Sequence, residues 1–196
     1  GTSPNKKSKS IVGPVTITET SLITAQNFRN GKPVSGTTQT LFTKVMPQKG
    51  EKVNKLKKGL RYKYFEGTWD KLPDFKKIKI VKSGVVSNVD ISNRNQDDLF
   101  GFVFEGLILI QEKGVYSFYT DSDDGSQLWI NDNLIVNNDG LHSMTEATGM
   151  IALDKGLHPI QVSYFEKNGG NLLDVYYENI NFKKQPIPNS LLFHKK

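Results

Sequence analysis

The chain has 196 residues, no cysteine, 36% hydrophobic and 23% charged residues, and a formal net charge of +6. That size gives room for one full core, or for one domain and part of another, and the composition is ordinary for a globular chain. Disulfides and thiol chemistry are excluded, which leaves the compartment open. No apolar run approaches the roughly 18 residues of a transmembrane helix, so no membrane span is expected. No signal-peptide pattern opens the chain, as expected of an internal or mature piece of a longer protein.

The charge is unevenly placed. Residues 1–82 carry 18 Lys and Arg against 5 Asp and Glu, and residues 83–196 carry 8 against 15. Basic residues cluster at Lys6, Lys7 and Lys9, and again at Lys49, Lys52, Lys55, Lys57 and Lys58. A nucleic-acid binder gathers such charge on a folded face beside aromatic or base-reading side chains. The second cluster lies in a segment poor in apolar residues, so a solvated linker is expected and no nucleic-acid partner.

Taken in chain order, residues 1–46 read as a partial small β-domain. Val15-Thr16-Ile17-Thr18, Leu22-Ile23-Thr24-Ala25 and Leu41-Phe42-Thr43-Lys44-Val45 have strand composition, and Asn30-Gly31 is a hairpin signal. Three strands are too few for an independent sandwich. Residues 47–59 read as the Lys-rich linker. Residues 60–196 hold most of the aromatics and are long enough for a full β-domain.

Helical periodicity is weak throughout, and strand alternation is strong after residue 60. Val115 to Tyr119 alternates between two faces. Ile160, Val162 and Tyr164 lie opposite Gln161 and Ser163, and Leu173, Val175 and Tyr177 lie opposite Asp174. Gln127 to Ile130 and Leu134 to Val136 flank Asn131-Asp132-Asn133, a tight-turn composition. Short strands punctuated by glycine at this spacing predict an all-β, antiparallel β-sandwich or barrel.

Several ordered motifs resemble the PA14 (protective-antigen-type) domain of bacterial glycosidases. They are Gly59-Leu60-Arg61-Tyr62-Lys63-Tyr64-Phe65-Glu66-Gly67, Trp69 with Leu72-Pro73-Asp74-Phe75, and Asp98-Leu99-Phe100-Gly101 with Phe104-Glu105-Gly106. Then follow Gly114 to Ser126, Leu128-Trp129-Ile130, Asn138-Asp139-Gly140-Leu141-His142, Gly156-Leu157-His158-Pro159-Ile160, Tyr164-Phe165-Glu166, Gly169-Gly170 and Gln185-Pro186-Ile187-Pro188. The resemblance implies an antiparallel sandwich of PA14 type. It also implies a non-catalytic, carbohydrate-associated module of a secreted bacterial hydrolase, located outside the cell, in a periplasm or at the cell surface. Its implied partners are a glycan or oligosaccharide and the parent's catalytic domain. The N-terminal Gly1-Thr2-Ser3-Pro4, Ser10, Gly13-Pro14-Val15-Thr16-Ile17 and Ala25-Gln26-Asn27-Phe28 look like the latter part of the β-domain that follows the catalytic barrel in β-hexosaminidases (chitobiases). A β-hexosaminidase-like parent is the expectation that follows.

Asp121-Ser122-Asp123-Asp124-Gly125 is the chemical centre. Carboxylates this close repel unless cations, backbone N–H groups or water offset them, and hard oxygen ligands suit Ca²⁺. The EF-hand pattern fails, because Gly125 falls at the fifth position and Asp132 at the twelfth. In the lectin-like PA14 domains of yeast adhesins, two adjacent Asp residues joined by a cis peptide bind Ca²⁺, which coordinates sugar hydroxyls. The resemblance maps that pair onto Asp123 and Asp124, with Asn168 and Asn171 as counterparts of the adhesins' later-loop ligands. The competing reading is a structural turn, closed by Asp side chains on backbone N–H groups with Gly125 free to turn.

His142 and His158 are too isolated for a zinc site. Trp69 and Trp129 could stack on a sugar or pack in a core, and Tyr116, Phe118, Tyr119, Tyr164 and Phe165 read as core. Independent catalysis is not expected. The chain has no Gly-x-Ser-x-Gly, P-loop or His-Glu-x-x-His, and no length for a catalytic barrel.

Overall fold

Period-two alternation of inward and outward side chains builds the long strands after residue 60 of this protein, described for residues 2–196 in a computed structural model. Gly1, the first residue of the N-terminal motif, lies outside the described residues. The chain divides into two compact units, Gly1–Met46 and Pro47–Lys196.

In the first unit, β1 (Ser21–Ala25) pairs antiparallel with β4 (Thr38–Phe42), with Ser21 opposite Phe42. Between them, β2 (Phe28–Arg29) and β3 (Lys32–Pro33) form a hairpin closed by Asn30 and Gly31, both at positive φ as an Asn-Gly turn requires. Two expectations are corrected here. Val15 to Thr18 forms no strand, since β composition alone does not order a segment that finds no ladder partner. The strand expected at Leu41–Val45 lies at Thr38–Phe42, because pairing with β1 sets its limits.

The second unit is an all-β sandwich. One sheet runs β11 (Asn133–Asn138), β10 (Ser126–Ile130), β13 (Gly156–Glu166), β8 (Phe100–Ile110), β16 (Leu192–Lys195), β5 (Leu56–Lys58). In the same sheet β6 (Leu60–Glu66) pairs with β7 (Lys82–Val86) and with β8. The other sheet runs β12 (Thr145–Leu153), β9 (Gly114–Asp123), β14 (Leu172–Asn179), β15 (Phe182–Pro186). Three short 3-10 turns accompany them, and among the described residues no helix is long and apolar enough to cross a membrane.

Inward positions make the core. From β8 come Phe100, Phe102, Phe104, Ile108 and Ile110, from β13 Ile160, Val162 and Tyr164, and from β9 Tyr116 and Phe118. Burying each such aromatic contributes on the order of 3–5 kcal/mol against truncation to Ala. Beyond Phe118 the inward face of β9 turns polar. Ser126 Oγ donates to Thr120 Oγ1 (2.9 Å) and lies 2.7 Å from Ser122 Oγ, and Asn138 Nδ2 donates to Ser122 Oγ (3.1 Å) and to the Thr145 carbonyl (2.7 Å). These buried groups satisfy one another, as a low-dielectric interior demands.

β8 changes partner along one edge. Phe100–Glu105 pairs with β6, and Leu107–Ile108 with β16. Gly106 stands at the switch, where a β-carbon would lie 2.4 Å from the Phe193 carbonyl oxygen.

The segment expected to be a linker, residues 47–59, instead lies along the sandwich. Gln48 N–H donates to the Ala152 carbonyl (2.9 Å), Glu51 N–H to the Leu157 carbonyl (2.7 Å), and β5 pairs with β16. The lysines 52, 55, 57 and 58 are exposed, so solvated side chains and a paired backbone coexist.

The two sheets approach closely where β11 meets β12. A β-carbon at Gly149 would stand 1.7 Å from the Ile135 carbonyl oxygen. Gly149→Ala is therefore expected to cost about 1–3 kcal/mol or more, as overpacking does. Gly114→Ala, whose β-carbon would meet nothing nearer than 3.9 Å, should be close to neutral. Urea denaturation midpoints of the two variants test the contrast.

Candidate functional site

β9 ends at Asp123, and a cis peptide joins it to Asp124 before β10 begins at Ser126. The polar layer of Thr120, Ser122, Ser126 and Asn138 lies on the inward face beside this turn and fixes the strand ends that carry it.

Asp124 is only 5% exposed, and its carboxylate serves two other loops. Oδ1 accepts from the His142 N–H (3.0 Å) and Oδ2 from the Lys167 N–H (3.0 Å). The Asp124 N–H donates to Glu166 Oε2 (2.9 Å). Tyr164 donates its hydroxyl to the Asp123 carbonyl, and the same hydroxyl lies 3.2 Å from Glu166 Oε2. Glu166 is fully buried, and its Oε1 has no hydrogen-bond partner among the described residues.

Asp123, Asp124 and Glu166 each offer a carboxylate oxygen within 4.8 Å of the others. Burial, reinforced by the Asp124 charge, pushes the Glu166 carboxyl up to about 7. Burial, then the Glu166 charge, pushes the Tyr164 phenol up, so it stays a donor. Among the described residues, the cluster has hard anionic oxygens and one oxygen with nothing to accept, and no cationic side chain is hydrogen-bonded into it. That donor set fits a hard dication such as Ca²⁺, and each Asp124 oxygen still has a second lone pair to offer.

The later loop closes one side. Gly170 passes so near Asp123 that a β-carbon there would stand 2.8 Å from Oδ2, and Gly169 sits at positive φ. The Gly169 N–H donates to Asp98 Oδ1 (3.2 Å), and the Lys167 ammonium pairs with Asp70 at 2.7 Å. Asn171 spends its side-chain N–H on the Asp97 carbonyl (3.3 Å), and Asn168 is exposed on the same loop. The structure thus brings Asp123 and Asp124 together with Glu166, with Asn168 and Asn171 on the flanking loop.

Glu166 was not singled out by sequence reasoning, and Tyr164 was assigned to the core alone. The signal was present: Ile160, Val162, Tyr164 and Glu166 share one face of β13, which places a carboxyl on an inward face. His142 contributes its backbone N–H to Asp124, and its ring lies 2.9 Å from the Asn138 carbonyl. His158 is fully buried between Asn131 and the Asp154 carbonyl. Trp69 packs edge-on to Phe75 over Gly67, whereas Trp129 faces away from the core.

A family model described as the PA14 domain matches residues 56–190. The anti-sigma-I factor RsgI3 of Acetivibrio thermocellus is 24% identical over 141 residues, which is 69% of this chain and 21% of that protein. A solved anti-sigma factor domain-containing protein from Clostridium clariflavum superposes with a TM-score of 0.62 at 21% identity, over 71% of this chain and 48% of that one. The A domain of epithelial adhesin 9 from Candida glabrata, solved in complex with Galβ1-3GlcNAc, superposes with a TM-score of 0.59 at 12% identity, over 75% of this chain and 94% of that one. At such identities the likeness is one of fold. The chain spans about a fifth of the curated relative and about half of the Clostridium chain.

Asp124→Ala removes two backbone hydrogen bonds to a charged acceptor, each worth about 1.5–3 kcal/mol. It is expected to lower stability by about 3 kcal/mol in chelator, whereas Asp123→Ala should shift it by less than about 0.5 kcal/mol. Chemical denaturation in EDTA measures both.

Proposed function

The chain belongs to the PA14 domain family, and from that premise we propose that residues 47–196 form a non-catalytic carbohydrate-binding module that holds its ligand with calcium at Asp123 and Asp124. The observation that carries this reading is the convergence of three carboxylates around a fully buried Glu166 oxygen that has no hydrogen-bond partner among the described residues. The glycan complex of the Candida domain, which shares the fold, supports the ligand class. Calcium, when bound, supplies open coordination positions for vicinal sugar hydroxyls.

The chain's own residues do the rest. Asp123 and Asp124 present carboxylate oxygens, and the His142 and Lys167 N–H groups fix the second of them. Tyr164 holds the Asp123 carbonyl and Glu166 holds the Asp124 N–H, so the turn is set before any ligand arrives. Asn168 and Asn171 lie on the flanking loop and are the residues we assign to touch the sugar.

One observation favours a second reading. Both Asp124 oxygens are already used by backbone donors, which suits a purely structural turn in an appendage that shapes the active site of a parent enzyme. The finer host, a secreted β-hexosaminidase-like enzyme whose catalytic domain is the partner, is supported by the N-terminal motif alone. The curated relative is instead an anti-sigma-I factor, so we leave the host's reaction open.

Calorimetry with CaCl₂ and a glycan array with and without EDTA test the proposal. Calcium at a hundredfold above its Kd should stabilise the unit by about 2.7 kcal/mol. Asp123→Ala should abolish both that gain and the chelator-sensitive glycan signal. Glycan binding that survives EDTA with Asp123 replaced would sink the calcium mechanism. Loss of stability at Asp124→Ala with no calcium effect on the wild type would leave the structural reading.

A further inference from the structure

The outer face of the eight-stranded sheet carries a groove built from residues other than those of the carboxylate cluster. Ser126, Leu128 and Ile130 of β10 point inward and are fully buried, so Gln127 and Trp129 point outward. Strand register then lays two rows across the face. Trp129 stands opposite Gln161, which stands opposite Glu105. Gln127 stands opposite Ser163, Ser163 opposite Val103, and Val103 opposite Lys63. The second row crosses four strands, about 14 Å at the usual strand spacing.

Two adjoining depressions of about 400 and 430 Å³ lie along these rows, both lined by Trp129, Gln161, Glu105 and Lys76. That is the size range of small-ligand sites. One wall is the segment Leu72–Ile80, and aromatic packing holds it. Phe75 lies 4.6 Å from Phe65 and 5.7 Å from Trp69, centroid to centroid.

The chemistry of the lining selects its occupant. Lys63 and Glu105 pair at 2.8 Å, and Asp74 pairs with Lys77 at 3.1 Å, so much of the local charge is internally matched. The neutral polar groups of the lining are a half-buried indole, two carboxamides and a hydroxyl, with Gln161 donating to Ser163 at 3.2 Å. Lys76 and Asp132 also line it, and with Lys63, Asp74 and Glu105 the lining sums to one negative charge, so a polyanion would find no net positive field here. A peptide strand would need an open sheet edge for its backbone. β10, β13, β8 and β6 are each paired on both sides, so none is offered. A sugar chain needs neither, because its C–H faces lie on an aromatic ring and its hydroxyls both donate to and accept from amides.

We propose that this groove is a second, calcium-independent glycan site, which takes a neutral oligosaccharide laid across β10, β13, β8 and β6 with one pyranose stacked on Trp129. It shares no residue with the calcium-dependent reading, so the two can fail separately.

The test titrates cellohexaose, xylohexaose, mannohexaose and chitohexaose into the full chain in EDTA, read by calorimetry and tryptophan emission. One hexaose or more should saturate at one site and shift the emission. Trp129→Ala should weaken that binding at least about tenfold, or ~1.4 kcal/mol. Gln161→Ala should weaken it several-fold, and Asp123→Ala should leave it unchanged. The melting temperature of each variant reports folding, and Gln161→Ala decides the matter if Trp129→Ala does not fold. Any of four results overturns the proposal: no hexaose binding in chelator, full binding retained by folded Trp129→Ala and Gln161→Ala, binding lost in Asp123→Ala, or binding of a decapeptide library in place of the sugars.

Discussion

The β9–β10 end of the sandwich depends on how one carboxylate is shared. Asp124 ties three connections, its own between β9 and β10, the one holding His142, and the one holding Lys167. Backbone N–H groups taken out of water need acceptors, and an ionised carboxylate offers the strongest a side chain can. With those groups satisfied, Asp123 is left outward and Glu166 inward, on either side of the same turn. The cluster of negative charge is thus a by-product of loop fastening.

The polar network beneath repeats the logic at lower charge. Thr120, Ser122, Ser126 and Asn138 occupy positions that the alternation of β9 and β10 would otherwise give to apolar residues. An apolar layer there would leave the Thr145 carbonyl without the Asn138 amide that now bonds it. The core therefore grades from aromatic in its middle to hydrogen-bonded at the end where recognition is proposed.

Much of this was legible in the residues. The alternations in β9, β13 and β14 gave the sandwich, and Asn30-Gly31 and Asn131-Asp132 marked their turns, both pairs at positive φ. The phase of β10 was not legible: the sequence left Trp129 open between a sugar platform and the core, and burial of Leu128 and Ile130 on either side puts it on the outer face. Other features depend on distant chain. The backbone of the Lys-rich segment is paired although its side chains are solvated, and composition reports only the side chains. Val15 to Thr18 has strand composition without a ladder to join. Glu166 lay in a quoted motif, but its meaning required knowing that Asp124 would fold back over it. Asn168 and Asn171 flank the glycine pair in the chain, and the commitment of the Asn171 amide to Asp97 belongs to tertiary structure.

The pairing of β5 with β16 has an architectural consequence. The first and last strands of the sandwich lie side by side, and the Lys196 N–H reaches the Lys55 carbonyl at 3.2 Å. A polypeptide that enters by one and leaves by the other returns almost to its point of departure. Such a domain can be spliced into a surface loop of an unrelated carrier without prying the carrier's own ends apart. The same seam makes the sandwich portable: it can travel between carriers of different trade while its two sheets stay intact.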